Sequence, residues 1–245
     1  MNDAPVIAKY LKEFDMPAVY IDIGASTQTS IPADVRKNSS LCILAECDPS
    51  KNGSLDNLST DNIHVIKEKI TPENVLEKIN PILNGRAIGF LEIDIDGYDY
   101  FVLQKILTEH KPTLICCETN EKIPPPIRFT VKYSENYWWD VSHFYGMSLS
   151  SSYDLMSPDY RLINLTGNNA YYLHKSVEFG GRTYSPEEAH KELYDPSQFP
   201  HNGNVNIWRD QTTSEAIKSI KEFFGSHKDN YEISDGLIPS CGDAI

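Results

Sequence analysis

Two acidic strings carry the residues with the most chemical promise. Asp22-Ile23-Gly24-Ala25-Ser26 closes one short apolar run, and Glu46 closes another, 24 residues after Asp22. A glycine at a strand end lets backbone approach a ligand closely, and an acid about 20 residues further on accepts both hydroxyl hydrogens of a ribose. The pyrophosphate-cradling Gly-x-Gly-x-x-Gly is absent, because positions 26 and 29 are Ser and Thr. A cofactor with ribose but without pyrophosphate therefore fits better than NAD. The second string is Glu92-Ile93-Asp94-Ile95-Asp96-Gly97-Tyr98. Its Asp-x-Asp-Gly-x-Asp core, ending at Asp99, lacks the Glu that completes a calcium loop, so no metal site is expected. By residue type His143 leads as general base, with Asp94, Asp96 and Glu118 as acids that can hold a proton or a cationic group.

Each of these residues also has a plain structural use. Asp22 can bond its own loop, Asp94 and Asp96 can serve as a helix cap and a solvated acid, and His143 can be a packing histidine. Trp138 and Trp139 belong to a dense aromatic group, Tyr133 to Tyr145, that suits a core or an acceptor pocket. Asn168 and Asn169 have the character of turn residues.

The elements that position these residues follow from apolar periodicity. Residues 18–24, 41–46, 63–66, 87–94 and 113–118 are short β-branched runs of strand length, separated by polar or helical stretches. Ser30 with Pro32, Thr71 with Pro72, and Asp96 before Tyr98–Leu107 read as helix starts, and Pro81 as the end of the second of these helices. Alternating strands and helices give a parallel sheet with helices on both faces. Residues 121–146 have no clean period and read as a lid or binding loop. Tyr160–Leu165 and Ala170–His174, joined by Thr166-Gly167-Asn168-Asn169, read as an antiparallel hairpin. The expected architecture is a Rossmann-like three-layer α/β sandwich with a mostly parallel seven-stranded sheet and a terminal hairpin. Residues 1–175 form its domain. Residues 176–245 form a helical extension, with helices starting at Ser185 and Ser214, that packs on the domain or mediates a homodimer.

Composition narrows the function. The chain has 245 residues, 40% of them hydrophobic, with 22 basic and 35 acidic residues and a net charge of −13. Such a balance disfavours nucleic acid and anionic membrane as partners and leaves small molecules. No run approaches a membrane span, and the start Met-Asn-Asp-Ala-Pro is not that of a secretory leader, so a cytoplasmic protein is expected. The five cysteines, 42, 47, 116, 117 and 241, form no Cys-x-x-Cys unit and read as reduced thiols.

Val19–Ser26, Glu46, Glu92–Tyr98 and the segment Asn169-Ala170-Tyr171 together resemble the class I S-adenosylmethionine-dependent methyltransferases, closest to the FkbM-like group, over roughly residues 17 to 175. The family's usual second loop glycine is replaced at Gln28 and Thr29. The resemblance implies that Asp22, Gly24, Ala25 and Ser26 approach the aminoacyl tail of S-adenosylmethionine and that Glu46 holds its ribose. Lys67 and Glu68 would border the adenine, and Asp94 would face the ammonium or the acceptor. It also implies methyl transfer to a hydroxyl, or an amine, of a small molecule such as a sugar or nucleotide-linked intermediate of surface polysaccharide or natural-product assembly. The alternatives are an NAD-dependent dehydrogenase or epimerase on the same sheet, which needs a glycine-rich loop and a Tyr-x-x-x-Lys pair, and a non-catalytic nucleoside-binding module.

Overall fold

The computed structural model describes residues 4–195 and 206–236. Cys241, read as a reduced thiol, lies outside them. The five expected parallel strands form as β1 (Val19–Ile23), β2 (Leu41–Ala45), β3 (Ile63–Ile66), β4 (Phe90–Ile93) and β5 (Leu114–Glu118). The expected hairpin forms as β7 (Tyr160–Thr166) and β8 (Asn169–His174), turning through Gly167 at φ +61°. The seven strands make one sheet in the order β3-β2-β1-β4-β5-β8-β7. Strands β1 to β5 pair in parallel, and β1, β2, β4 and β5 are buried along their whole length. Burial on both faces explains why these runs are continuous rather than alternating. The fold class is thus the expected one, an α/β fold with a mostly parallel sheet and a terminal hairpin.

The described chain forms two compact units. The first comprises residues 4–95, 101–117 and 171–181 and contains β1 to β4 with the helices α1 (Ala4–Glu13), α2 (Ala33–Lys37), α3 (Pro49–Asn52) and α4 (Val75–Leu83). Two helix starts differ from expectation. Helix α2 begins after Pro32, and the Ser30 hydroxyl bonds Glu92 instead of capping it. Thr71 and Asn74 bond each other's backbone amides in a turn that precedes α4, and the helix runs through Pro81 to a left-handed Asn84. Pro81 costs the helix one bond, the amide that would reach the Glu77 carbonyl, and the helix ends two residues later at Leu83.

The second unit comprises residues 96–100, 118–170, 182–195 and 206–236. Its small sheet pairs β6 (Arg128–Val131) antiparallel with β9 (Tyr231–Ser234). The 121–146 stretch is therefore not all loop, and it contains a strand whose partner is a hundred residues away in sequence. Phe129, Val131 and Phe144 pack with Trp208, Ala216, Ile220, Phe224 and Tyr231 in a buried core, so residues on both sides of position 176 share it. Helices α6 (Leu149–Met156), α7 (Pro186–Glu192) and α8 (Thr213–Phe223) belong to this unit, and α7 and α8 start with capping boxes, Ser185/Glu188 and Thr212/Glu215. Among the described residues no helix is long and apolar enough to cross a membrane.

Candidate functional site

In the first unit, the loop after β1 is built by three backbone requirements. Gly24 has φ +99°, and a β-carbon on it would overlap the carbonyl oxygen of Asp94. The glycine is therefore demanded by the close approach of the β4 end, whatever ligand comes near. The Gly24 and Ala25 amides both donate to the Ala45 carbonyl, at 2.9 and 3.0 Å, and Ser26 follows in the left-handed region at φ 51°. This turn aims the Ser26 amide at the end of β2, where it donates to Glu46 Oε2 at 2.9 Å, while the Asp48 amide donates to Oε1 at 2.7 Å. Glu46 is buried and staples the loops after β1 and β2 together. Each of its oxygens retains a second lone pair, so the carboxylate still fits a ribose diol.

Asp22 sits one turn deeper and is 3% exposed. Thr29 and the Ser30 amide donate to it, its Oδ2 makes no hydrogen bond, and in strand register it stands opposite Glu92 of β4. Glu92 is buried as well and accepts from the Ser30 hydroxyl. Burial above all pushes the Asp22 carboxyl up to about 6, with Glu46 adding to the rise, while Thr29, Ser30 and Arg36 oppose it. Asp22 is thus bonded within its own loop. The native state holds this proton more tightly than the unfolded chain, so its contribution to stability falls as pH rises from about 4 to about 6. Asp22→Asn should gain stability relative to wild type over that window, by on the order of 1–3 kcal/mol, in urea titrations at a series of pH values. A stability difference that is flat with pH would disprove the assignment.

Lys67 and Glu68 face solvent. Lys67 pairs with Asp56 at 2.5 Å and Glu68 with Lys78 at 2.6 Å, both at the surface. Asp94 closes β4 in the first unit, its amide on the Ile23 carbonyl at 2.9 Å.

In the second unit, Asp96 is left-handed at φ 55°, and the Tyr137 hydroxyl reaches its carbonyl at 3.1 Å. Asp96 and Glu118 bring carboxylate oxygens within 4.8 Å of each other. Two acids at this spacing suit a shared proton or a cation. Helix α5 (Asp99–Leu107) starts at Asp99, whose carboxylate takes the Gly97 amide at 2.9 Å. His143 lies elsewhere in the unit. Its ring rests 5.9 Å from that of Phe223, and burial, then the nearby Lys122, hold its pKa below the usual histidine value. These are the surroundings of a packing histidine. Asp140 faces His227, with Nε2 3.8 Å away. Tyr137, Trp138, Asp140, Phe144 and His227 line a cleft of about 390 Å³, to which Trp138, 61% exposed, contributes an open aromatic face.

Two residues of interest, Glu121 and Lys122, had no signal in the sequence, and Tyr145 had one only as a member of the aromatic group. Glu121, Lys122 and Tyr145 are each buried, and Lys122 Nζ lies 2.5 Å from Glu121 and 2.9 Å from the Tyr145 hydroxyl. Neither spacing nor motif links position 145 to 121–122.

No protein-family model matches the chain, and no protein of established function matches its sequence. Among solved structures, it is similar to a putative hemolysin from Streptococcus thermophilus, at 10% identity and TM-score 0.45, over 91% of this chain and 74% of that one. It is also similar to a SAM-dependent methyltransferase from Anabaena variabilis, at 12% identity and TM-score 0.42, over 71% and 86%. A third is the precorrin 8W decarboxylase of Methanobacterium thermoautotrophicum, at 12% identity and TM-score 0.36, over 69% and 86%.

Proposed function

We propose that the chain is an S-adenosylmethionine-dependent methyltransferase acting on a hydroxyl group of a small molecule. The acceptor we favour is a sugar or nucleotide-linked intermediate of surface polysaccharide or natural-product assembly. The observation that carries this reading is Glu46. It is a buried carboxylate at the end of β2, fixed by the Ser26 amide on a glycine turn, at the carboxyl ends of parallel strands where open α/β sheets bind ligands. When bound, the cofactor supplies a methyl group already activated by the positive sulfur. What remains for the protein is to bind, to align the acceptor and to take its proton.

Residue by residue, Glu46 would hold the ribose hydroxyls and the Gly24–Ser26 backbone would border the aminoacyl tail. Asp94 would face the ammonium, and Asp96 would hold the acceptor or its proton. His143 comes behind these acids, since its ring packs on Phe223. Nitrogen as the acceptor atom is the variant of the same reading. On this reading the enzyme works in the cytoplasm, and the segment after residue 175 is a packing or subunit element.

Calorimetry with S-adenosylmethionine, S-adenosylhomocysteine and NAD is the test. Binding of the two methionine nucleosides without NAD is the expected result, and tight NAD binding or no nucleoside binding would overturn it. Glu46→Ala should weaken the nucleosides at least about tenfold, or ~1.4 kcal/mol. Because Glu46 also staples two loops, Glu46→Gln should be compared at matched thermal stability. Unchanged affinity in both variants would remove Glu46 from the ribose.

A further inference from the structure

The cleft of about 390 Å³ is lined wholly by residues of the second unit. Most of them come from two stretches of chain, one leaving β6 from Lys132 to Asp140 and one entering β9 from His227 to Asn230. The β6–β9 ladder fixes the distance between these stretches. Val131 pairs with Tyr231, the Lys132 amide donates to the Asn230 carbonyl at 2.8 Å, and the Asn230 amide donates to the His227 carbonyl at 2.8 Å. The other aromatic rings along the cleft are engaged with neighbours. His227 stacks on Phe144 with ring centres 4.1 Å apart and planes 7° from parallel, while Tyr133 and Tyr137 meet Tyr98 edge-on at 5.0 and 6.1 Å. Trp138 differs, since 61% of it is exposed. An indole standing in water beside a cleft offers a large, rigid apolar face that costs little entropy to order, because only two torsions must be fixed.

The polar lining selects among ligand charges. Lys132 stands against a cation, and Asp140 and Asp229 stand against an anion. Asp140 is held as an acceptor: its Oδ1 takes the Ser142 amide at 3.0 Å, and hydrogen bonding from the Ser142 hydroxyl above all keeps its carboxyl below the usual aspartate value. A neutral ligand rich in hydroxyls suits all three charges, because each hydroxyl both donates and accepts, and the side-chain amides of Asn136 and Asn230 can do either. A pyranose with equatorial hydroxyls has this make-up. Its ring faces carry axial C–H bonds that pack on an aromatic plane, and its edge carries the hydroxyls. We infer that the cleft is a saccharide-binding site, with a neutral pyranose laid on Trp138 and its hydroxyls shared among Lys132, Asn136, Asp140, Asp229 and Asn230. The volume falls within the range of about 300–1,000 Å³ common to small-ligand sites. This binding function belongs to the second unit and does not depend on the methyltransferase reading.

The test is an NMR titration of the ¹⁵N-labelled full chain with cellotriose and with triacetylchitotriose. The chain has three tryptophans, so its indole signals are few, and Trp138→Phe assigns the one that matters. Saturable shifts of the Trp138 indole and of the Asn136 and Asn230 side-chain amides, with a millimolar Kd for at least one saccharide, are expected. Trp138→Ala should weaken that binding at least about tenfold, the factor that ~1.4 kcal/mol of stacking represents, while Trp138→Phe, which keeps an aromatic face, should lose less. Asn136→Ala, at an exposed position that folding does not depend on, should also weaken it. Ile207→Ser removes an exposed apolar side chain outside the cleft and should leave the affinity as it is. Tetramethylammonium and inorganic phosphate serve as the cationic and anionic probes and should not move these signals. No saturable shift with either saccharide overturns the inference, as does tighter binding of either ion at the same signals. Undiminished saccharide affinity in both Trp138→Ala and Asn136→Ala overturns it as well. Saccharide binding in a chain that binds no methionine nucleoside upholds the cleft and sinks the proposed reaction, whereas nucleoside binding without saccharide binding sinks only the cleft.

Discussion

Gly24→Ala is expected to destabilise the protein by more than about 4 kcal/mol, in the range that point mutations reach only by a specific structural conflict. Two costs add. A non-glycine residue at φ +99° leaves the backbone region open to L-residues, a cost of roughly 1–2 kcal/mol even in the milder left-handed helical region. The larger cost is spatial, because the new methyl group and the Asp94 carbonyl cannot occupy the same place. Relief requires the ends of β1 and β4 to part, which gives up the Asp94 amide bond to Ile23 and strains the Gly24 and Ala25 bonds to Ala45. Against a typical total stability of about 5–15 kcal/mol, such a loss leaves a large unfolded fraction or no soluble protein. Gly53→Ala is the control, since its φ is −59° and a β-carbon there meets nothing within 4 Å. It should be neutral or slightly stabilising by reducing the freedom of the unfolded chain. Urea unfolding followed by circular dichroism compares the two. A Gly24→Ala variant within about 1 kcal/mol of wild type would mean that the β1 turn can relax.

The same residues show how far sequence reaches. The five parallel strands were legible because burial on both faces leaves unbroken β-branched runs, and the hairpin because Gly167 sits between two such runs. Gly24 and Glu46 were legible as a pair, yet for a partly different physical reason: the glycine answers to the Asp94 carbonyl and the acid to two backbone amides. Helix starts were less legible. Ser30 has the type of a capping residue, but a buried acid, Glu92, competes for its hydroxyl, and competition of that kind has no sequence signature. Strand β6 was hidden because Arg128–Val131 is short and its partner, Tyr231–Ser234, lies about a hundred residues on. Non-local pairing also conceals the Lys122, Glu121 and Tyr145 cluster. Lys67, Glu68 and His143 show that a residue's type does not reveal its partners, since the first two make surface ion pairs and the third packs on Phe223.

Lys122→Met should be the second most damaging single change, at about 3–5 kcal/mol, because it leaves the Glu121 carboxylate buried without its cation. The exposure of the pair decides the size: side chains of Lys122 and Glu121 are only 6% and 2% exposed, so water cannot take over the lost partner. Lys122 also covers the Tyr145 ring, and methionine retains most of that contact, so the loss isolates the charge. The uncompensated acid should respond by holding a proton. Deprotonating it then costs more as pH rises, and the deficit of Lys122→Met should be smaller near pH ~5 than near pH ~8. Glu121→Gln/Lys122→Met removes both charges and should recover to within about 1–2 kcal/mol of wild type, since replacing a buried ion pair as a whole is often nearly neutral. Glu121→Gln strands the ammonium in the same way, so the double-mutant cycle predicts a coupling of at least about 2–3 kcal/mol, at or above the upper end for contacting residues. Urea titrations of wild type, both single variants and the double at two pH values measure it. Additive single losses with no pH dependence would show that Lys122 acts through packing alone.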